Sequence, residues 1–108
     1  MLSVNELCRR TGVSRKTLYY YDKIGLLKPS ERYGVQKAKL YDEEDAERLS
    51  KILAYREAGL SLHEIGEILE CAEEEKIHIL EAVIKRLEKE RDRLDLEIAK
   101  AREFLNQI

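Results

Sequence analysis

Three basic residues and three tyrosines occupy one short stretch near the start of the chain, residues 14 to 26. Arg15 and Lys16 directly follow Ser14, whose hydroxyl can accept a hydrogen bond from a free N–H of a first helical turn. Because the helix dipole favours acids at this end, two cations there lower helix stability. A phosphate backbone would favour them, and such a helix fits the DNA major groove with its N-terminal residues at the base edges. The stretch indicates DNA recognition, with a surface helix whose tyrosines simply pack as the alternative.

A helix-turn-helix arrangement would position these residues. Ser3 and Glu6 form a capping-box pattern, which predicts a first helix over residues 6 to 10 that stops at Gly12. Residues 11 to 14 are too few for anything but a turn into the second helix. Gly25 can adopt the left-handed conformation that ends that second helix.

The pattern changes after Gly25. Pro29 blocks helix formation and residues 32 to 34 offer a turn, so residues 28 to 41 are predicted to form a small basic hairpin. Asp42 caps a third helix, whose apolar residues recur with helical period. A second capping box, Ser61 with Glu64, starts a fourth helix. The predicted inward-facing residues of these two helices are Ala46, Leu49, Ile52, Leu53, Leu62, Ile65, Ile68 and Leu69.

Residues 73 to 108 contain no Gly and no Pro, and they predict one continuous helix of about 54 Å. Ten positions step along it by three and four without a slip, which is the a/d pattern of a coiled coil. We call these ten residues the seam: Ile77, Leu80, Ile84, Leu87, Arg91, Leu94, Ile98, Ala101, Leu105 and Ile108. So narrow a stripe on so long a helix needs a partner helix, and a second copy of the chain is the simplest partner.

Charge is distributed unevenly along the chain. Residues 1 to 41 hold nine Lys and Arg against three Asp and Glu, a net charge of +6, whereas residues 42 to 108 carry −8. A basic head on an acidic body is typical of a protein with an anion-binding end. The two cysteines form no C-x-x-C pair, which argues against a disulfide framework or a zinc finger. No signal peptide or membrane span is predicted, so a reduced cytoplasmic setting is expected.

Several short motifs, in order, resemble the MerR family of transcriptional regulators, and the likeness covers the whole chain. They are Thr-Gly-Val-Ser (11 to 14), Thr-Leu-Tyr-Tyr-Tyr-Asp (17 to 22), Gly-Leu-Leu (25 to 27), Pro29, Leu-Tyr-Asp (40 to 42), Arg-Glu-Ala-Gly (56 to 59) and Ser-Leu-His-Glu-Ile (61 to 65). The resemblance implies a mainly α fold, a winged helix-turn-helix head followed by a long dimerisation helix. It also implies an antiparallel coiled coil in a homodimer, binding to pseudo-palindromic promoter DNA that the protein distorts, and RNA polymerase as a further partner.

The expected DNA-binding residues combine the helix start and the wing. Arg15, Lys16, Thr17 and Tyr20 are expected to face the major groove, while the wing cations and the free N–H groups at Ser61 are expected to hold phosphates. The complete predicted DNA-binding set is Ser14, Arg15, Lys16, Thr17, Tyr19, Tyr20, Arg32, Lys37, Lys39 and Ser61.

Two positions depart from the family pattern. Tyr19 stands where the family usually has Arg, so one expected backbone contact is lost or replaced by a phenol. In the wing, the usual Gly-Tyr-Arg is Lys-Ala-Lys at residues 37 to 39, which keeps a charge at Lys39 but loses the tyrosine at Ala38. Tyr33 and Arg32 could compensate, or base preference could differ.

Effector sensing in the family usually lies beyond the long helix, where this sequence ends, so a short form or a fragment is expected. Metal-sensing relatives carry a cysteine near Cys71 with further cysteines after it, and none follow here. No metal or cofactor is therefore expected. His63 and His78 are expected to be solvated.

The predicted organisation is a DNA-binding head, residues 1–70, and a coiled-coil dimerisation helix, residues 71–108. The predicted function is a homodimeric transcriptional regulator that binds double-stranded DNA. Alternatives are a coiled-coil interaction module whose basic head docks on an acidic protein, and a DNA-binding accessory factor that acts away from promoters. An enzyme is not expected, because these residues assemble no nucleophile–base pair or phosphate loop.

Overall fold

The computed structural model describes residues 1–36 and 38–108. Helix α1 runs over Val4–Thr11, and both hydrogen bonds of the predicted Ser3–Glu6 capping box are present. The helix ends at Gly12, whose φ of 82° lies in the left-handed region that a Cβ would disfavour. This residue lets the chain reverse direction within three residues and start the next helix.

Helix α2 covers Arg15–Lys23 and has the predicted N-cap: the Thr17 backbone N–H donates to the Ser14 hydroxyl over 3.1 Å. The first turn contains no acid, as the sequence indicated. Leu18 and Tyr21 are buried on its inner face. Because these two residues fix the rotation of α2, Arg15, Lys16, Tyr19 and Tyr20 are left on the outside.

A three-stranded antiparallel sheet follows, with β1 at Leu2–Ser3, β2 at Glu31–Tyr33 and β3 at Ala38–Tyr41, in the order β1-β3-β2. The predicted hairpin is thus present, and we call β2 and β3 the wing. Strand β1 was not predicted, because two residues are too few to show alternation and Ser3 was interpreted only as a helix cap. It pairs Leu2 with Tyr41 and Ser3 with Leu40, which ties the base of the wing to the chain start.

Helix α3 covers Glu43–Glu57 and begins with a capping box formed by Asp42 and Asp45. Helix α4 covers Leu62–Glu70, and its predicted capping box is also present. Of the predicted inward residues, five are buried and three, Leu53, Leu62 and Leu69, are partly exposed. Every fully buried Leu or Ile contributes roughly 1.5–3 kcal/mol of transfer free energy, so these residues specify the packing of the head.

Helix α5 covers Glu73–Asn106, which matches the predicted continuous helix to within its ends. It starts after Ala72 without a side-chain cap, and three acids in its first turn suit the positive end of the helix dipole. The chain divides into two compact units, residues 1–66 and 67–108. In the described part of the chain, no helix is both long and apolar enough to cross a membrane.

Candidate nucleic-acid interface

The exposed start of α2 presents two cations and two phenol rings on one surface. Arg15 and Lys16 are exposed, and Tyr19 and Tyr20 are 47% and 49% exposed. All four residues lie in the first two turns of α2, close to the free backbone N–H groups that add positive potential at the helix start. The surface therefore attracts anions and offers flat side chains that can lie against bases or sugars.

Ser14 and Thr17 form the cap of α2, and this limits what their hydroxyls can do. The Ser14 hydroxyl already accepts the Thr17 N–H, and the two hydroxyl oxygens are 3.0 Å apart. Thr17 is partly buried. Both residues thus hold the shape of the helix start, and each hydroxyl keeps only part of its hydrogen-bonding capacity for a ligand.

An open groove of about 720 Å³ is lined by residues from the start of α1, from α2 and from the hairpin. Arg15 and Tyr19 of α2 and Lys39 of the wing are among them. The groove therefore has cations from both the helix and the hairpin. Its shape suits a strand of nucleic-acid backbone better than a small apolar molecule.

The wing cations converge on one buried carboxylate, that of Asp22 at the end of α2. The Arg32 Nη2 lies 2.9 Å from both Asp22 oxygens, and the Lys39 Nζ lies 3.0 Å from one of them. The Lys28 Nζ is 4.0 Å away. From the sequence, we expected Arg32 and Lys39 to be available to phosphates, and we assigned Asp22 no role beyond its charge. The structure gives both cations an intramolecular acceptor.

Two opposing effects act on the Asp22 carboxyl. Its burial would raise the pKa, but the hydrogen bonds from Lys39 and Arg32 outweigh burial and hold the pKa below its ordinary value of 3.8. A depressed folded-state pKa stabilises the fold above the unfolded value, and the contribution is lost as pH falls through the folded pKa. The Asp22 ion pairs are therefore fully formed at neutral pH.

Tyr19, which replaces the family's usual Arg, has a definite partner. The Lys39 Nζ lies 4.2 Å from the centroid of the Tyr19 ring, which is a cation–π geometry. An arginine at position 19 would place a second cation beside Lys39, whereas the phenol attracts it. Lys39 is thus held between Asp22 and Tyr19, and its side chain is only 19% exposed.

Three further residues of the hairpin are exposed, whereas Tyr41 on β3 is buried. Tyr33 is 73% exposed, and Val35 and Ala38 are also exposed. The Arg32 side chain is 41% exposed even though it bonds Asp22, so one edge of its guanidinium can still reach a ligand. The predicted phosphate contact at Lys37 lies outside the described residues.

Ser61 differs from the prediction that its N–H is free for a phosphate. The Ser61 N–H donates to the Glu64 carboxylate over 2.8 Å, and the Glu64 N–H donates to the Ser61 hydroxyl over 3.1 Å. The capping box predicted from the sequence thus occupies the very group that was predicted to hold a phosphate. A phosphate at the Ser61 N–H would have to displace the acid.

On α5, all ten seam residues are exposed in the single chain. Among the described residues of this helix, Val83 is the buried one. Arg91 forms an ion pair with the neighbouring Asp92 at 3.2 Å. An exposed stripe of this length, apolar at every position except Arg91, is typical of a helix that has a partner.

The second cysteine and the histidines show no sign of a metal centre. Cys71 is a free thiol whose Sγ lies 3.6 Å from the Ile68 carbonyl oxygen, and His63 and His78 are exposed. Within residues 1–36 and 38–108, no three His, Cys, Asp or Glu side chains are grouped closely enough to hold a metal ion.

Comparison with known proteins places this geometry in a family. The sequence profile of the MerR HTH family regulatory protein matches residues 2–71. Nodulation protein NolA of Bradyrhizobium elkanii is 37% identical over 98 residues, which is 91% of this chain and 41% of NolA. The HTH-type transcriptional activator TipA of Streptomyces coelicolor is 43% identical over 68 residues, or 63% of this chain and 26% of TipA. The chain spans less than half the length of these two relatives.

One solved structure resembles nearly the whole chain. The N-terminal part of the Bacillus subtilis multidrug transporter activator superposes with a TM-score of 0.84 at 33% identity, over 97% of this chain and 98% of that one. Its match extends through the winged helix-turn-helix and the long helix. The profile and this structure confirm the fold class and the resemblance that the motifs indicated. The chain belongs to the MerR family of helix-turn-helix regulatory proteins.

Proposed function

We propose that this chain regulates transcription by binding double-stranded promoter DNA as a homodimer, with the start of α2 in the major groove and the wing on the phosphate backbone. The observation that carries the proposal is the exposed α2 surface: Arg15 and Tyr19 line a groove together with Lys39 of the wing, and Lys16 and Tyr20 are exposed on the same helix start. The names of two relatives support the proposal, since one is a transcriptional activator and the other a multidrug transporter activator.

The charges of the head suit this role. Arg15 and Lys16 are exposed, and no short contact of either with an acid is seen among the described side chains. They are available to base edges or phosphates. The wing cations outnumber the single carboxylate they share, so they keep a net positive charge for the backbone. In this proposal, helix α2 contacts base edges and the wing binds phosphates.

Dimerisation through α5 completes the proposal. The seam supplies an apolar stripe at heptad spacing, and an antiparallel pairing with a second copy would bury it. We accordingly assign residues 1–70 to DNA binding and residues 71–108 to dimerisation. A two-fold dimer would select a pseudo-palindromic site, and distortion of that site would allow RNA polymerase to use it. A regulator of this kind acts in the compartment that holds the DNA, the cytoplasm.

The test uses the whole chain and random duplexes. Binding sites are selected, footprinted, and compared with scrambled duplex in a fluorescence anisotropy titration across a salt series. We expect a two-fold symmetric footprint, preference for the selected site, and a steep loss of affinity with salt. Binding that is salt-insensitive, or that acidic protein competes for as well as duplex does, would support the interaction-module alternative instead. Transcription from the selected promoter, unchanged by the protein, would favour the accessory factor.

A further inference from the structure

Strand β2 has no buried side chain with which to anchor the wing. Glu31, Arg32 and Tyr33 are all exposed, and the strand joins the rest of the head through its antiparallel ladder with β3. Strand β3 is anchored by its ladder with β1 and by the buried Tyr41, whereas β2 is an edge strand of the sheet. The described side-chain contacts that join β2 directly to α2 are those of Arg32 with Asp22.

Asp22 connects three elements at one point. It lies near the end of α2, and it accepts hydrogen bonds from Arg32 on β2 while Lys39 on β3 forms an ion pair with it. Tyr19, three residues earlier and therefore on the same face of α2, contacts the same Lys39 from its ring face. We call Asp22, Arg32, Lys39 and Tyr19 the clamp.

The clamp orients the wing cations without neutralising them. One carboxylate faces three cations, Lys28, Arg32 and Lys39, so the group retains a net charge of about +2. Lys28 and Arg32 keep 67% and 41% of their side chains exposed. A phosphate can reach these two cations, and the 19% of the Lys39 side chain that stays exposed, while the carboxylate still holds the guanidinium in place.

We propose that Asp22 is a positioning residue for DNA binding, which fixes the distance and angle between the α2 surface and the wing. The proposal rests on the function proposed above. It makes a prediction whose sign is unusual, because Asp22 is negative and lies buried directly beside the surface proposed to bind DNA. Charge alone predicts that its removal strengthens binding. Positioning predicts that its removal weakens binding, because the wing cations lose the acceptor that orders them.

The test compares two variants with the same change of charge. Asp22→Asn removes the buried carboxylate of the clamp, and Glu31→Gln removes an exposed carboxylate on the same wing. With the selected operator at fixed salt, we expect Glu31→Gln to bind as tightly as the wild type or slightly tighter. We expect Asp22→Asn to bind about tenfold more weakly. Equal or tighter binding by Asp22→Asn would overturn the proposal.

Hydrogen exchange separates this proposal from the proposed function, because it needs no DNA. The wing ladder pairs Glu31 with Leu40, Arg32 with Lys39 and Tyr33 with Ala38. In Asp22→Asn, the amides of this ladder should exchange about tenfold faster, while the α3 amides of Leu49 and Ile52 keep their wild-type rates. Unchanged wing exchange would overturn the proposal even if the wild type binds DNA. Faster wing exchange would support the positioning role even if the wild type failed to bind DNA and the proposed function fell.

A second variant guards against loss of the fold. Arg32→Gln breaks the same contact from its exposed side and leaves the buried residues of α2 unchanged. It should accelerate exchange in the wing ladder as Asp22→Asn does, and combining the two changes should add little. Additive effects of the two substitutions would show that they act separately and would overturn the clamp.

Discussion

The head and the long helix of this chain bury apolar side chains in very different proportions. In residues 1–66, each of α1, α2 and α3 contributes fully buried side chains, such as Leu7, Leu18 and Leu49. In α5 one side chain, Val83, is buried among those described, and the seam is exposed along its whole length. The head therefore has a hydrophobic core of its own, whereas the seam of α5 is an apolar surface that is exposed in the single chain.

This difference teaches which residues act within one chain and which act between chains. A substitution in the core of the head should change the stability of a single chain. A substitution in the seam should leave a single helix almost unaffected, because its residues are already exposed there, and should change association instead. Substitutions in the two regions therefore test this distinction.

The largest effect is expected from an acid in the seam. Leu87→Asp or Leu94→Asp would bury an unpaired carboxylate against apolar side chains in the proposed dimer, which costs several kcal/mol. Sedimentation velocity should then show monomers, with the helical content of the chain retained.

Leu96→Asp is the matched control for the seam variants. Leu96 is 58% exposed on the same helix but lies outside the a and d positions, at the outermost position of its heptad. It should leave the dimer intact. Intact dimers for both seam variants, or monomers for all three, would contradict the coiled-coil proposal.

The next effect concerns the exposed cations of α2. Lys16→Ala, if the side chain reaches a base edge, should cost about 1–3 kcal/mol and relax base preference at one position per half-site. Selection from random duplexes reports the preference, and titration reports the affinity. An equal loss on the operator and on scrambled duplex would show that Lys16 contacts only phosphates.

A restrained wing cation should behave differently. Lys39→Ala should weaken binding to operator and scrambled duplex alike, and it should flatten the salt slope by about one unit. Lys100→Ala, the same change at an exposed position near the end of α5, serves as the charge control and should leave the slope unchanged. A loss confined to the operator would instead make Lys39 a base-reading residue.

The smallest effect is expected at Tyr41, which is fully buried on β3. Burial, with the Asp22 charge as a smaller contribution, raises the pKa of this phenol to about 12, and its oxygen has no hydrogen-bond partner among the described residues. Tyr41→Phe should raise the free energy of unfolding by about 1 kcal/mol, because an unsatisfied buried hydroxyl is removed.

Tyr33→Phe is the control for that measurement, since Tyr33 lies on the same wing and is 73% exposed. Its stability should change by less than about 0.5 kcal/mol. Urea denaturation of both variants measures the difference. A clear loss of stability in Tyr41→Phe would mean that its hydroxyl contributes a hydrogen bond.

Features set by neighbouring residues were predictable from the sequence. The caps at Ser3, Ser14, Asp42 and Ser61 mark the starts of four helices because each depends on a residue two or three positions away. Heptad spacing predicted the long helix for the same reason. Pro29 and the turn at residues 32 to 34 predicted the hairpin of the wing.

Contacts between distant parts of the chain were missed. Strand β1 exists only because residues 2 and 3 meet β3 some 38 residues later. The role of Asp22 depends on two cations that the hairpin brings back to α2 from 10 and 17 positions away. One feature of the sequence could have indicated the importance of Asp22. It is the one acid in helix α2, whose other residues are basic or neutral, and it lies three residues after Tyr19. The prediction of a free N–H at Ser61 was wrong for a local reason, because this N–H donates to Glu64 in the capping box.

The proposed function requires that the chain bind its DNA as a dimer with sequence preference. Analytical ultracentrifugation of the wild-type chain with labelled operator and with scrambled duplex, at the same salt concentration, measures both parts at once. We expect two chains on each operator, and an affinity for the operator at least about 10³-fold higher than for scrambled duplex. One chain per duplex, or equal affinity for the two DNAs, would contradict the proposed function.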